Sequence, residues 1–369
     1  MTVLGIAVVV FAAVLMMGLA RGLFQRLDVT GEPENLLLIS RKGHDVMFSE
    51  IKADEMTQLM SLAGLDTTPQ GQPMISPEIM SISYMTLDTP DGPRKSPISI
   101  RGVIPAMAAA VHRSVHISAG RLPEQPFEML AGAMAYIKLG VPAQCLAVGS
   151  KLTFGSQEWT ICGTFEAGGA IVESELWVRD DDLKPAINRK THSFAVARFQ
   201  TPQGVRDACG LFQTSGPMER YFKGWPEPEY YAQYSKALSW VFWLSIFMVV
   251  AVTAAGVLIG VNTMYTSIIG RLDEIATQRV LGFGRWDIAR SLLVESAAIS
   301  LLGGAIGTSV GLLANNIPMT LTYGAFFLEV DAPVVAMGMA LAMLIGLLGA
   351  VLPTIKGLRL SIMEAMRYE

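Results

Sequence analysis

The sequence predicts a membrane protein with four transmembrane α-helices and a large mixed α/β extracytoplasmic domain between helices 1 and 2. Three observations lead there. Four windows, about Val3–Ala20, Ala237–Val261, Ser291–Ala314 and Val334–Ile355, approach or exceed the roughly 20 apolar residues that cross a bilayer core. Arginine is concentrated in one short segment between the second and third of them. About 210 residues of ordinary polar and apolar mixture separate the first window from the second. The resulting division is residues 1–22 as a first span, 23–236 as the α/β domain, and 237–369 as a membrane domain. Within the last, the spans fall at about 237–261, 291–314 and 334–355 and a polar loop at 271–289.

Composition supports spans. Half of the 369 residues are hydrophobic and 16% are charged, and the mean hydropathy of +0.41 is high for a soluble globular chain. The 35 glycines suit helices that pack closely in lipid. A net charge of −4 gives no sign of nucleic-acid binding. Cys145, Cys162 and Cys209 lack metal-ligand spacing. They allow at most one disulfide beside a free thiol, and read best as small buried residues.

Charge sets the orientation. No charge occurs from Ala237 to Gly270, and only Glu295 interrupts the uncharged stretch between Arg290 and Glu329. Arg271, Arg279, Arg285 and Arg290 lie between spans two and three, and Lys356, Arg359 and Arg367 follow span four. The loop between spans three and four carries Glu329 and Asp331 and no basic residue. Basic loops stay inside. The polar loop and both termini are therefore expected in the cytoplasm, and the α/β domain outside the cell (inner) membrane of a multi-pass protein. Arg21 and Arg26, just after span one, point the other way. A cleaved signal peptide would need a basic start and a small-x-small site. Gly18-Leu19-Ala20 fits poorly, so the expectation is a basic segment upstream of Met1.

Within 23–236, Leu36–Ser40 has strand character, Phe48–Leu65 has helical spacing, and Pro90-Asp91-Gly92-Pro93 is a turn. Lys151–Phe154 and Glu158–Phe165 around Gly155-Ser156 read as a β-hairpin. Leu176–Val178 and Phe194–Phe199 are further strands. Tyr221–Lys236 leads back to the membrane, its aromatics suited to an interfacial belt.

Catalytic patterns are missing. There is no Gly-x-x-x-x-Gly-Lys-Ser/Thr loop, no His-Glu-x-x-His and no Gly-x-Ser-x-Gly. No cofactor, metal or catalytic residue is expected, and an anchored extracytoplasmic enzyme finds no support. His112 and His116, four apart, resemble a metal half-site, but no third ligand is evident, and both read as surface histidines. Gly303, Gly307 and Gly311 form a small-residue ridge in span three, and Gly256 with Gly260 repeats it in span two. Either packing within one subunit or a dimer seam would use such ridges. Glu295 should face protein or the membrane boundary rather than lipid.

Arg271, Glu274-Ile275, Arg279 and Leu281-Gly282, then Asp287-Ile288 and Glu295, resemble the cytoplasmic-loop signature of MacB/FtsX-type ABC permeases. Pro353 and Gly357-Leu358-Arg359 through Glu364-Ala365-Met366-Arg367 to Glu369 are similar to that family's closing motif. Val3-Leu4-Gly5-Ile6-Ala7 resembles its first span, and Arg101-Gly102-Val103, Gly120-Arg121 and Val148-Gly149 its periplasmic core. The match covers essentially the whole chain, with departures: no basic amphipathic helix before span one, Ser150 in place of an acidic residue, and Ile362 in place of proline. The resemblance implies a MacB-like periplasmic core at 23–236 and an FtsX-like permease domain at 237–369.

It further implies a non-catalytic permease subunit acting with two copies of a separate ABC ATPase, which binds the ATP, and a second permease copy or paralogue. A periplasmic adaptor can join. Arg271, Asp273, Glu274, Ile275, Arg279, Gly282 and Arg285 would form the ATPase-coupling loop. The stroke would drive export or extraction of a peptide, lipid or lipoprotein-like substrate. The alternative is a relay that transports nothing and signals ATPase motion to an extracytoplasmic partner such as a cell-wall hydrolase.

Overall fold

The computed structural model describes residues 2–89, 92–213, 216, 218–321 and 324–359. Pro90 and Asp91 of the expected turn, and the tail motif from Leu360 to Glu369 with Arg367, lie outside the described residues. The chain divides into two compact units, 1–23 with 238–317 and 327–369, and 24–237 with 318–326.

The first unit is helical. It holds α1 (Thr2–Val29, to residue 23), and the later helices Ser239–Gly270, Leu272–Val280, Arg285–Leu313 and Ala332–Arg359. All but the nine-residue Leu272–Val280 are long and apolar enough to cross a membrane. Glycine lets these helices meet backbone to backbone. A Cβ on Gly303 would lie 2.9 Å from the Val3 carbonyl oxygen, and one on Gly307 2.5 Å from that of Ala7. One on Gly311 would meet Val14 at 2.7 Å. Gly256 faces Val9 and Ile345, and Gly260 faces the Gly349 backbone. All five glycines thus pack against helices of the same chain. The Ser296 hydroxyl adds polar glue by donating to the Gly346 carbonyl at 2.8 Å.

The second unit is built on a mixed sheet. In chain order it contains β1 (Asn35–Ser40), α2 (Ala53–Leu59), β2 (Ile75–Thr89), β3 (Gly92–Val103), α3 (Pro105–Val111), β4 (His116–Gly120), β5 (Glu128–Gly132), α4 (Ala135–Leu139), β6 (Lys151–Phe154), β7 (Gln157–Glu166), β8 (Glu175–Arg179), α5 (Asp180–Ala186), β9 (Phe194–Arg198), α6 (Pro202–Cys209), β10 (Phe222–Pro226) and α7 (Glu227–Ala237). The four later helices of the first unit are then α8, α9, α10 and α11. Two three-residue strands, β11 (Pro318–Thr320) and β12 (Ala325–Phe327), lie between α10 and α11.

Among the described residues, ten strands form one sheet in the order β10-β1-β9-β2-β3-β8-β5-β7-β4, with β6 on β2 and β7. The long strand β2 changes partner along its length. Residues 75–78 pair with β9 and residues 79–89 with β3. One core, with Leu36, Leu38, Ile75, Phe199 and Phe222, lies toward the β1–β9 end. Another, with Ile79, Ile98, Met129, Trp159 and Val178, lies toward the β3–β7 end.

At the crossing sits a sealed charge cluster. Arg101 of β3 is 1% exposed and donates through Nε and Nη2 to both oxygens of Glu175, at 2.6 and 3.0 Å. Its Nη1 donates to Glu78 at 2.6 Å. Trp177 and Phe194 lie against the guanidinium at 5.6 and 5.4 Å. A bidentate arginine on a carboxylate keeps its charge at this depth where lysine would shed its own. Burial and hydrogen bonding make this side chain costly to remove.

Three sequence expectations are corrected. Only Ala53–Leu59 of Phe48–Leu65 is helical. Ile51 and Leu65 form β-bridges with His192 and Phe199, so sheet pairing takes both ends of the stretch. His112 is buried rather than superficial. It follows α3, whereas His116 lies exposed on β4, so the two share no helix. Finally, Tyr230, Tyr231 and Tyr234 pack with Leu37, Val46 and Val196 in a core of the α/β unit. Exposed Trp240, Phe242, Trp243 and Phe247 on α8 supply the aromatics suited to an interface. Of the cysteines, Cys162 and Cys209 are buried, Cys145 is partly so, and none is bonded to another.

Two outcomes follow from this packing. Arg101→Met leaves buried Glu175 without its cation and Glu78 with His112 alone, and should cost about 3–5 kcal/mol, read as a lower thermal midpoint of the full chain in detergent. Gly307→Val should cost about 1–3 kcal/mol by overpacking α1 against α10, whereas Gly270→Ala, with open space around it, should be neutral.

A short capped helix as candidate coupling site

Helix α9 owes its form to local chemistry. Asp273 and Glu274 sit in its first turn and Arg279 in its last, each on the side that the helix dipole favours. It ends in a Schellman motif. Gly282 adopts φ +95°, its N–H donates to the Arg279 carbonyl at 3.2 Å, and the Phe283 N–H reaches the Gln278 carbonyl at 3.1 Å. A side chain at 282 would be strained in that conformation. Asp287 then caps the start of α10 by accepting from the Gly284 N–H at 3.2 Å.

The seven loop residues expected from sequence take different parts. Ile275 is buried among Met264, Ile268, Ile288, Leu292 and Ala350 and anchors α9 to its own unit. Gly282 stops the helix. Arg271 meets Glu295 of α10 through two hydrogen bonds of 3.0 Å, which gives Glu295 its partner. Asp273, Glu274 and Arg285 are exposed, and Arg279 is partly exposed. Sequence reasoning missed the apolar tip. Val280, Leu281, Phe283 and Trp286 are 74%, 72%, 57% and 80% exposed within this polar segment. The signal was present as four large apolar residues among charges, but the family's charged pattern drew attention away from them.

The chain also enters and leaves the α/β unit through polar clamps. At the end of α1, Arg26 donates to the Gly169 carbonyl at 3.0 Å, and the Thr30 hydroxyl accepts from the Ile171 N–H at 3.0 Å. At the start of α7, Glu227 accepts from the Glu32 N–H at 3.0 Å and from Asn35 at 2.9 Å. Arg21, in the helical unit, meets Asp331 at 2.6 Å. The two arginines that run against the expected charge bias are thus both engaged. Among the described residues, no group of three or more His, Cys, Asp or Glu side chains is placed to hold a metal ion.

Residues 1–207 match the family model of the MacB-like periplasmic core domain, and residues 246–362 that of the FtsX-like permease C-terminal region. The chain belongs to the MacB/FtsX-type permease family. An uncharacterised ABC transporter permease of Methanocaldococcus jannaschii is 29% identical over 145 residues, covering 37% of this chain and 36% of that one. The uncharacterised ABC transporter permease YknZ of Bacillus subtilis is 32% identical over 108 residues, 29% of this chain and 27% of the relative. The macrolide export ATP-binding/permease protein MacB of Chromobacterium violaceum is 29% identical over 136 residues, 37% and 20% of the two chains. The matched stretches span about a third or less of these relatives. Four span-length helices in a MacB/FtsX-type permease make this a multi-pass membrane protein.

The Arg271–Glu295 pair should act as a strut on α9. Arg271→Glu is expected to raise amide exchange in α9 several-fold, and the charge swap Arg271→Glu with Glu295→Arg to restore most of it. For a half-exposed pair the coupling is no more than about 1 kcal/mol. Equal exchange in the single and double variants contradicts the strut.

Proposed function

We propose that the chain is a non-catalytic permease subunit that couples ATP hydrolysis on a separate ABC ATPase to movement of its α/β unit. The movement drives export or extraction of a peptide, lipid or lipoprotein-like substrate. In this reading α9 and both termini face the cytoplasm, as the arginines between α8 and α10 favour, and the α/β unit lies outside the inner membrane. Two ATPase copies and a second permease copy or paralogue complete the machine.

The exposed apolar tip of α9 carries this reading. Four large apolar side chains ringed by Arg279, Arg285 and Asp287 have the make-up of an interface centre, apolar anchors inside a charged rim. Ile275 and the Arg271–Glu295 pair fix α9 to the helices on either side, so a push on the tip would move α8 and α10 together. The rim charges would set register and approach more than affinity. Helices of this length transmit displacement as rods, at about 1.5 Å per residue. The clamps at Arg26, Thr30 and Glu227 are where that displacement would enter the sheet.

Two variants test it in membranes with the native ATPase. Phe283→Ala with Trp286→Ala should weaken ATPase association by about tenfold or more, as loss of interface anchors does. Arg279→Glu should abolish stimulation of ATP hydrolysis while membrane insertion stays intact. Unchanged association and unchanged stimulation would remove α9 as the coupling element.

A further inference from the structure

His112 bridges two carboxylates that come from different elements. Its Nε2 lies 2.7 Å from Glu78 of β2, and its Nδ1 lies 3.9 Å from Glu227, the first residue of α7. The ring is buried, edge-on to Trp177 at 5.5 Å. Around it stand Arg101 from β3, Glu175 from β8, Tyr231 from α7 and Asn35 from β1. Of three buried carboxylates, Arg101 binds Glu78 and Glu175, whereas Glu227 has the neutral Asn35 amide and the Glu32 N–H as its hydrogen-bond donors. Arg198, the other buried arginine among the described residues, is taken up by Glu32, Asn35 and the Val111 carbonyl. Only the imidazolium form presents an N–H to both acids. The neutral ring turns a lone pair toward one of them.

We propose that His112 is a proton-operated latch on α7, adding a charge contact to Glu227 when protonated and withdrawing it when neutral, beside the bonds that Asn35 and the Glu32 N–H give Glu227 at any pH. The electrostatics agree in sign. Burial alone would push the imidazole down, but the charge of Glu78 and the hydrogen bond to it outweigh burial and hold its pKa above the usual value. Glu78 itself, despite burial, is drawn down to about 2 by His112 and Arg101 and stays ionised throughout. Because the folded value is raised, the latch is at full strength below the ordinary imidazole pKa of about 6.5. It is lost as pH rises through the raised value. Tyr231 is pushed up by burial, out of this window. Since Glu227 opens α7 (Glu227–Ala237), the protonation state of His112 sets how firmly the start of that helix is held against the sheet. The latch concerns the α/β unit alone and stands whether or not an ATPase drives the chain.

Hydrogen–deuterium exchange on the full chain in lipid nanodiscs, corrected for intrinsic rates, tests it. Between about pH 5.5 and 8.5, α7 should lose tenfold or more of its protection, while the β6–β7 hairpin changes less than about twofold. In His112→Gln the α7 protection should become independent of pH. Constant α7 protection in the unsubstituted chain, or an undiminished pH dependence in His112→Gln, overturns the latch. Should His112→Gln fail to fold, the fluorescence difference between the unsubstituted chain and Trp177→Phe reads the same proton, because an imidazolium beside the indole quenches it. A quenching step in that window supports the latch, and a flat difference overturns it.

Discussion

The guanidinium of Arg101 is the group on which the α/β unit depends. Strand β2 leaves one set of partners and joins another at Glu78, and the two apolar cores lie on either side of that crossing. Arg101 joins the strands at the crossing by binding Glu78 and Glu175 together, and Glu78 carries the connection on to His112. The enclosing Trp177 and Phe194 keep water out, which strengthens each pairing and makes any unpaired member costly. The same cluster ends at Glu227, so the fold's internal tie is also the anchor of the chain leaving for α8.

Much of the architecture was legible because periodicity and apolar length are strong local signals. The four span-length helices, the β6–β7 hairpin and the strands at Leu36, Leu176 and Phe194 all announce themselves that way. What was not legible depended on partners distant in sequence. Phe48–Leu65 has helical spacing, yet its ends pair with residues more than 130 positions away. The tyrosines of α7 look like a membrane belt until Leu37 and Val196 are seen beneath them. His112 carries nothing in its neighbours in sequence to distinguish it from His116. Its role exists only because Glu78, 34 residues before it, and Glu227, far beyond, converge on it.

The candidate site shows the same division. Gly282 stood out in sequence only as part of the family's loop signature, and the structure supplies the two hydrogen bonds that make it a helix stop. Ile275 sits within a charged motif that suggests an exposed contact, but its side chain is an inward anchor. The apolar tip at Val280, Leu281, Phe283 and Trp286 emerges only from exposure. Helix α9 is thus anchored on its inner side by Ile275 and presents exposed apolar residues at its end, while polar clamps at Arg26, Thr30 and Glu227 hold the two chain ends of the α/β unit.

The most direct test of this account follows amide exchange in the permease bound to its ATPase while nucleotide is cycled. ATP with vanadate holds the ATPase closed, and removal of nucleotide reopens it. The account predicts that exchange changes at α9 and, in the same cycle, at α7 and the end of α1. A change confined to α9, with α7 and the clamp residues unaffected by nucleotide, would contradict transmission of the stroke to the α/β unit.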